Sequence, residues 1–165
     1  MKLEDMPLSE FETIDINLLI DTLIEDAELD IQSKDLTLVK EQDHHCFVKC
    51  NHILLVRAFE NIFMNAIKYS PESKQIKIIS KHKNDKVSVT ISDQGPGIPE
   101  SDLEHILKPF YRADQSRNQQ TGGYGLGLSI TLKIIEQHHG NLFICNINPT
   151  GLEVTIELDA CDMVF

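Results

Sequence analysis

No apolar run in this chain approaches the roughly 18 residues of a transmembrane helix, and its opening residues, MKLEDMPLSE, are too acidic and too polar for a signal peptide. Any membrane link of the parent protein is therefore expected outside the sequence given. Positive charge is scarce: 15 Lys and Arg face 26 Asp and Glu, a formal net charge of -11. That balance excludes a protein whose main task is to hold nucleic acid or an anionic membrane, since both need basic stripes. The four cysteines, Cys46, Cys50, Cys145 and Cys161, are too few in 165 residues for a disulfide framework and read as reduced, cytosolic thiols. His44, His45, Cys46, Cys50 and His52 invite a zinc reading, but no second half of a ligand set follows at a recognisable spacing. A strand with Cys46 and Val48 on one face is the preferred reading. Tryptophan is absent too, which excludes nothing.

What is present is ordinary for a globular protein, with 41% hydrophobic and 25% charged residues. The length suits one domain. Phe11 to Ile16 reads as a short strand, with Asn17 capping a helix that carries Leu19, Ile20, Leu23, Ile24 and Ala27. Two short strands, Leu36 to Val39 and Cys46 to Val48, follow across a polar turn. Asn51 is expected to cap a second helix, about His52 to Tyr69, ended by Pro71. Ile76 to Ser80 and Val87 to Ser92 form a hairpin through Lys83-Asn84-Asp85-Lys86. A long loop from Gly95 to Gly125 contains one helical piece near Asp102 to Leu107. A Gly-opened helix comes next, and a hairpin of Leu142 to Ile147 and Leu152 to Leu158 closes the chain. These elements predict an α+β two-layer sandwich: a mixed, mainly antiparallel sheet with three helices on one face. A loop of this length in a compact domain is usually a lid or binding loop, and here it is expected to be a lid over about residues 100–124.

Three stretches break the structural pattern. On the second helix, Leu55, Phe59, Ile62, Phe63 and Ala66 make an apolar stripe, while Asn61, Asn65 and Lys68 share another face. Asparagine is a poor helix former, so this face is either solvated or a polar wall offering amide oxygens to a hard cation such as Mg²⁺ and a lysine to phosphate. In VSVTISDQGPGIP, strand parity carries Asp93 into the inward row of Val87, Val89 and Ile91. Such a carboxylate needs a donor, supplied either by an Asx-type turn to Gly95 or by the exocyclic amine of a ligand whose ring approaches Gly95 and Gly97. In TGGYGLGLSI, Gly122, Gly123, Gly125 and Gly127 open a helix. Successive glycine N-H groups at a helix N-terminus suit an anion, although a flexible hinge would use the same residues. The stretch lacks the lysine of a P-loop and the spacing of a dinucleotide-binding turn.

In this order, NIFMNAIKYS, DQGPGIP, KPFYRAD and GGYGLGL resemble the N, G1, F and G2 boxes of the catalytic ATP-binding domain of bacterial sensor histidine kinases, with a Bergerat-type fold. The match runs from about Asn51 to Gly140, and FENIFMNAIKYS with PFYRAD looks like the Cpx envelope-stress type. The resemblance implies that Asn65 ligates Mg²⁺, that Asn61 lies near the metal and phosphates, and that Lys68 faces the phosphates. It implies that Tyr69 lies against the nucleotide and that Asp93 accepts the adenine amino group, with Gly95, Gly97 and Ile98 shaping that pocket. Phe110 and Tyr111 would flank the lid, Arg112 would reach the phosphates as it closes, and Gly123, Tyr124, Gly125, Leu126, Gly127 and Leu128 would line the triphosphate side. Tyr124 departs from the small residue common there. Asn61, Lys68 and Arg112 are the residues expected to act on the reacting phosphates.

Related ATPases place a water-activating glutamate where this chain has Asn61, and an amide is no general base at neutral pH. Transfer of the γ-phosphate to a histidine is therefore expected over hydrolysis. None of the chain's histidines matches the family's acceptor motif. The expectation is thus a fragment: residues 1–10 as the stub of a dimerisation helix and 11–160 as the ATP-binding domain. ATP and ADP, the dimerisation and phosphoacceptor domain, and a response regulator receiver domain are the expected partners. Neither nucleic acid nor direct membrane contact is expected. The parent is expected to be a homodimer in the bacterial inner membrane, with this domain in the cytoplasm. Two alternatives are an ATPase or protein-serine kinase of the same superfamily and a non-catalytic nucleotide-sensing module.

Overall fold

The computed structural model describes residues 10–108 and 127–163. Within them the elements are β1 (Glu12–Asp15), α1 (Ile16–Asp26), α2 (Glu28–Ser33), β2 (Thr37–Gln42), β3 (Phe47–Cys50), α3 (His52–Tyr69), β4 (Gln75–Lys83), β5 (Lys86–Ser92), α4 (Glu100–Leu103), α5 (Gly127–Gln137), β6 (Asn141–Asn146) and β7 (Leu152–Asp159). The main sheet has the order β2-β4-β5-β7-β6, and β1 pairs with β3 in a separate antiparallel ribbon. Among the described strands, only β2 and β4 run parallel. The mixed, mainly antiparallel sheet expected from the sequence is therefore observed.

Period-two alternation sends Ile76, Ile78, Val87, Val89, Ile91, Val154, Ile156 and Leu158 to one face, where all are buried. Against them pack Ile16, Leu19, Ile20 and Leu23 of α1, Leu55, Phe59, Ile62 and Phe63 of α3, and Ile134 and Ile135 of α5. Each such side chain contributes about 1.5–3 kcal/mol when fully buried. The opposite sheet face is more polar, with Thr90 and Thr155 hydrogen-bonded across strands at 2.9 Å, though it also carries Ile79 and the exposed Phe143.

Two local expectations change, and two arrangements were not anticipated. Asp15 rather than Asn17 caps α1: its Oδ1 accepts from the backbone of Asn17 at 2.9 Å. Asn17 itself donates to the Asp43 carbonyl and accepts from Ser80 Oγ, bonds set by tertiary neighbours. Strand β2 joins β4 in parallel, and the crossover that a parallel connection needs is supplied by β3 and α3. A short helix, α2, also appears after Ala27; none of its six residues is buried, so it leaves no apolar stripe to read. The helical piece expected at Asp102 to Leu107 begins earlier and is shorter, at α4.

Three contacts set α3 against α5. At one end, buried His138 accepts from the Asn51 backbone through Nε2 at 3.1 Å while its Nδ1 donates to the Ile134 carbonyl at 2.6 Å. This pairing needs the neutral ring, and burial pushes the His138 pKa down accordingly. Phe11 stacks on that ring at 5.1 Å. In the middle, Thr131 Oγ1 donates to the Ala58 carbonyl. At the other end Asn61 Nδ2 donates to the Gly127 carbonyl and Thr131 Oγ1. The helices run antiparallel, and α5 begins level with Asn61. The last two turns of α3 extend beyond it.

Candidate functional site

Beyond the start of α5, the extended part of α3 presents Asn65, Lys68 and Tyr69. At 1.5 Å per residue, Asn65 lies about one turn past Asn61 and Lys68 about two turns past it. Asn65 and Lys68 are half-buried and border a cleft of about 350 Å³, with Asp30, Ser33 and Lys34 across it. The Lys68 ammonium sits 5.4 Å from the centroid of the half-exposed Tyr69 ring. The described part of α5 starts at Gly127, level with Asn61, and so directs the N-terminal side of the helix toward this end of α3. Its dipole favours negative charge there. Gly127 adds room, for a Cβ at this position would meet only Asn61 atoms among the described residues, at 3.9 Å.

The end of α3 is held by a residue that sequence reasoning missed. Lys34 Nζ donates to the carbonyls of Ile67 and Lys68 at 2.8 Å and of Ser70 at 2.9 Å. One ammonium thus satisfies carbonyls that a helix C-terminus leaves unpaired. Lys34 is 33 residues before Ile67, so only the folded chain reveals the pairing. Hydrogen bonds to a charged group contribute about 1.5–3 kcal/mol, and Lys34→Met is expected to cost that much in urea denaturation, with fraying of the last turn of α3.

Asp93 lies at the end of β5 and is 6% exposed. Its Oδ1 accepts from the backbone N-H of Gly95 at 2.8 Å and of Leu152 at 3.2 Å, so the Asx-type turn weighed from the sequence is present. Burial pushes its pKa up against the opposing pull of those two bonds. The space that Gly95 leaves is filled by the chain itself: a Cβ there would lie 2.5 Å from the Tyr69 carbonyl oxygen. This close approach brings the Asp93 loop against the end of α3, and so unites Asp93 and Tyr69 in one region. Gly97 has φ +70 and Ile98 is half-buried beside it.

The hairpin between β6 and β7 supplies three more contacts that were not anticipated. Asn146 bonds both the N-H and the carbonyl of Ile98, Thr150 Oγ1 donates to the Gly95 carbonyl at 2.6 Å, and Gly151 packs directly on the Asp93 backbone. Turn chemistry pointed to this hairpin, but nothing local pointed to its partner loop.

Of the remaining residues singled out from the sequence, Leu128 is half-buried in the first turn of α5. Phe110, Tyr111, Arg112, Gly123, Tyr124, Gly125 and Leu126 lie outside the described residues, as do residues 1–9. No helix among the described residues is long and apolar enough to cross a membrane.

Comparison with known proteins places this geometry in a family. Residues 50–161 match the family described as histidine kinase-, DNA gyrase B-, and HSP90-like ATPase. The sensor protein kinase WalK of Staphylococcus epidermidis is 31% identical over 156 residues, covering 93% of this chain and 25% of WalK. The chain thus spans about a quarter of the length of that curated relative. Among solved structures, the catalytic domain of the histidine kinase ThkA superposes with a TM-score of 0.81 at 30% identity, over 91% of this chain and 95% of that one. A mycobacterial sensor histidine kinase, MprB, gives 0.79 at 25% identity, over 93% and 99%. ThkA solved with its response regulator TrrA gives 0.78 at 27% identity, over 92% and 42%. The chain belongs to the histidine kinase-, DNA gyrase B- and HSP90-like ATPase family, as the ATP-binding catalytic domain of a sensor histidine kinase.

Proposed function

We propose that this domain binds ATP together with Mg²⁺ and presents the γ-phosphate to a histidine on a separate dimerisation domain of its parent, from which it passes to an aspartate on a response regulator. The observation that carries this reading is a buried carboxylate, Asp93, held by backbone donors at Oδ1 and set beside the polar end of α3. With Oδ1 committed to the backbone, Oδ2 is the atom to accept the adenine amino group. Lys68 and the α5 N-terminus supply positive potential for phosphates. Arg112 is proposed to add to this on the phosphates, Gly123, Gly125 and Gly127 to border them, and Tyr69 to lie along the nucleotide.

The residues present also suit Mg²⁺. Asn65 offers a hard amide oxygen, and among the described residues no group of three or more His, Cys, Asp or Glu could hold a metal alone. A divalent cation would be shared between Asn65 and the phosphates, as Mg²⁺ commonly is. When bound, it would neutralise phosphate charge.

Transfer is favoured over hydrolysis by what surrounds Asn61. Its Nδ2 is directed to the Gly127 carbonyl and Thr131, and an amide does not take a proton from water at neutral pH. Glu60 is exposed and sits about 100° around the helix. The parent is proposed to be a homodimeric membrane sensor with this domain on the cytoplasmic side.

Calorimetric titration tests the reading. Mg²⁺ is expected to raise affinity for a non-hydrolysable ATP analogue by about tenfold or more, a gain of at least 1.4 kcal/mol, and Asn65→Ala should abolish that enhancement while ADP still binds without metal. A folded wild-type domain that binds no adenine nucleotide would overturn the proposal.

A further inference from the structure

We infer that Asn146 is a positioning residue for the nucleotide base, acting through the loop that carries Asp93; this rests on the nucleotide reading above. The segment Asp93 to Ile98 contains two glycines, and such a segment loses much backbone freedom when it is fixed. Something outside the loop must hold it. Asn146, at the end of β6, does so with both halves of its amide: Oδ1 accepts from the Ile98 N-H at 2.8 Å and Nδ2 donates to the Ile98 carbonyl at 2.5 Å. One side chain thereby reproduces the two bonds that a neighbouring strand would make to that residue. Nδ2 also reaches Glu100 Oε1 at 3.4 Å.

The same amide explains a glycine. A Cβ on Gly97 would lie 2.6 Å from Asn146 Oδ1, and Gly97 at φ +70 occupies a conformation that disfavours other residues. Gly97 and Asn146 therefore fit as a pair, with the loop laid directly onto the amide. At its other end the loop is fixed through Asp93, whose Oδ1 accepts from Gly95 and Leu152. The Asn146 amide bonds Ile98 and Glu100 and makes no bond to the Asp93 carboxylate itself. Its effect is to fix the backbone from Gly95 to Ile98, and with it the direction in which the Asp93 carboxylate faces a base.

The test compares ATP with inosine triphosphate, which carries an oxygen where adenine carries the amino group. The wild-type domain is expected to prefer ATP. Asn146→Ala should lower ADP affinity about tenfold, equivalent to about 1.4 kcal/mol, and narrow the preference for ATP over inosine triphosphate by a similar factor. Because Asn146 is remote from Asn65 in the scheme, the Mg²⁺ enhancement of triphosphate binding should stay as in wild type. Asn146→Asp is the isosteric second variant. It keeps an acceptor for the Ile98 N-H but sets a carboxylate against the Ile98 carbonyl and Glu100, and should move selectivity in the same direction. An unchanged preference for ATP in both variants, even with lower stability or uniformly weaker binding, would reduce Asn146 to a structural role and overturn the inference. Failure of the folded wild type to bind either nucleotide would instead remove the nucleotide reading itself, before any variant is needed.

Discussion

Asp93→Asn is expected to leave the domain folded while lowering its affinity for ADP about a hundredfold or more. The asparagine carbonyl can take the place of Oδ1 and keep the bonds from the Gly95 and Leu152 N-H groups. Its NH₂ would then stand where Oδ2 would accept the adenine amine, so two donors face each other. Losing a hydrogen bond to a charged group, at about 1.5–3 kcal/mol, and leaving a buried donor unpaired, at about 1–3 kcal/mol, together reach two or more factors of ten.

The same substitution carries a pH signature. Burial raises the Asp93 pKa above its ordinary 3.8, so the folded state holds the proton more tightly than the unfolded chain. The stability contributed by this group is then fully present below the unfolded value. It falls as pH rises through the folded value, and stays at the lower level at neutral pH. Asparagine does not ionise and shows no such fall. Urea denaturation of both proteins across a pH series should show the variant gaining on the wild type as pH rises through that window. Nucleotide affinity of the wild type should weaken on acidification through the raised pKa, where the acceptor is lost. Equal ADP binding by the two proteins at neutral pH would remove Asp93 from the site.

Gly151→Ala is expected to have the largest effect on folding. Gly151 has φ +133, a conformation that L side chains rarely adopt, and a Cβ there would lie 2.0 Å from the Asp93 carbonyl oxygen. Backbone strain of about 1–3 kcal/mol adds to overpacking of about 1–3 kcal/mol, against a typical total stability of about 5–15 kcal/mol. The atom that must yield is backbone, and it belongs to the residue proposed to recognise adenine. Loss of nucleotide binding should accompany a marked drop in the urea midpoint. A variant with wild-type stability would show that the turn can re-form around a side chain.

The parts of the fold legible in the sequence were those decided within a few residues. Asn51 capped α3 as expected, with Oδ1 accepting from Leu54 at 3.0 Å, and the apolar stripe of α3 was buried. The β4 to β5 hairpin turned at Asn84 with φ +56. Strand parity placed Asp93 inward, and the turn to Gly95 was one of two readings held for it. What stayed hidden depended on distant partners. Asn17 looked like a cap, yet Asp15 took that role because Asn17 is drawn to Asp43 and Ser80. Gly95 looked like space for a ring, and its space is filled by the Tyr69 carbonyl. Lys34, Asn146 and Thr150 carry no local signature, since a lysine, an asparagine or a threonine in a turn is commonplace.

The support of the Asp93 loop also fixes an order of events during synthesis. Leu152, Thr150 and Asn146 reach back 59, 55 and 48 residues to Asp93, Gly95 and Ile98. Contacts of such separation form only after the chain between them has closed its loops. A chain still lacking β7 can assemble α3 and the β4 to β5 hairpin, but its Asp93 has neither the Leu152 donor nor the packing of Gly151. On the proposed role of Asp93, nucleotide binding is therefore expected to be acquired late, and a ribosome-bound chain that captures ADP is expected to have β7 already in the sheet.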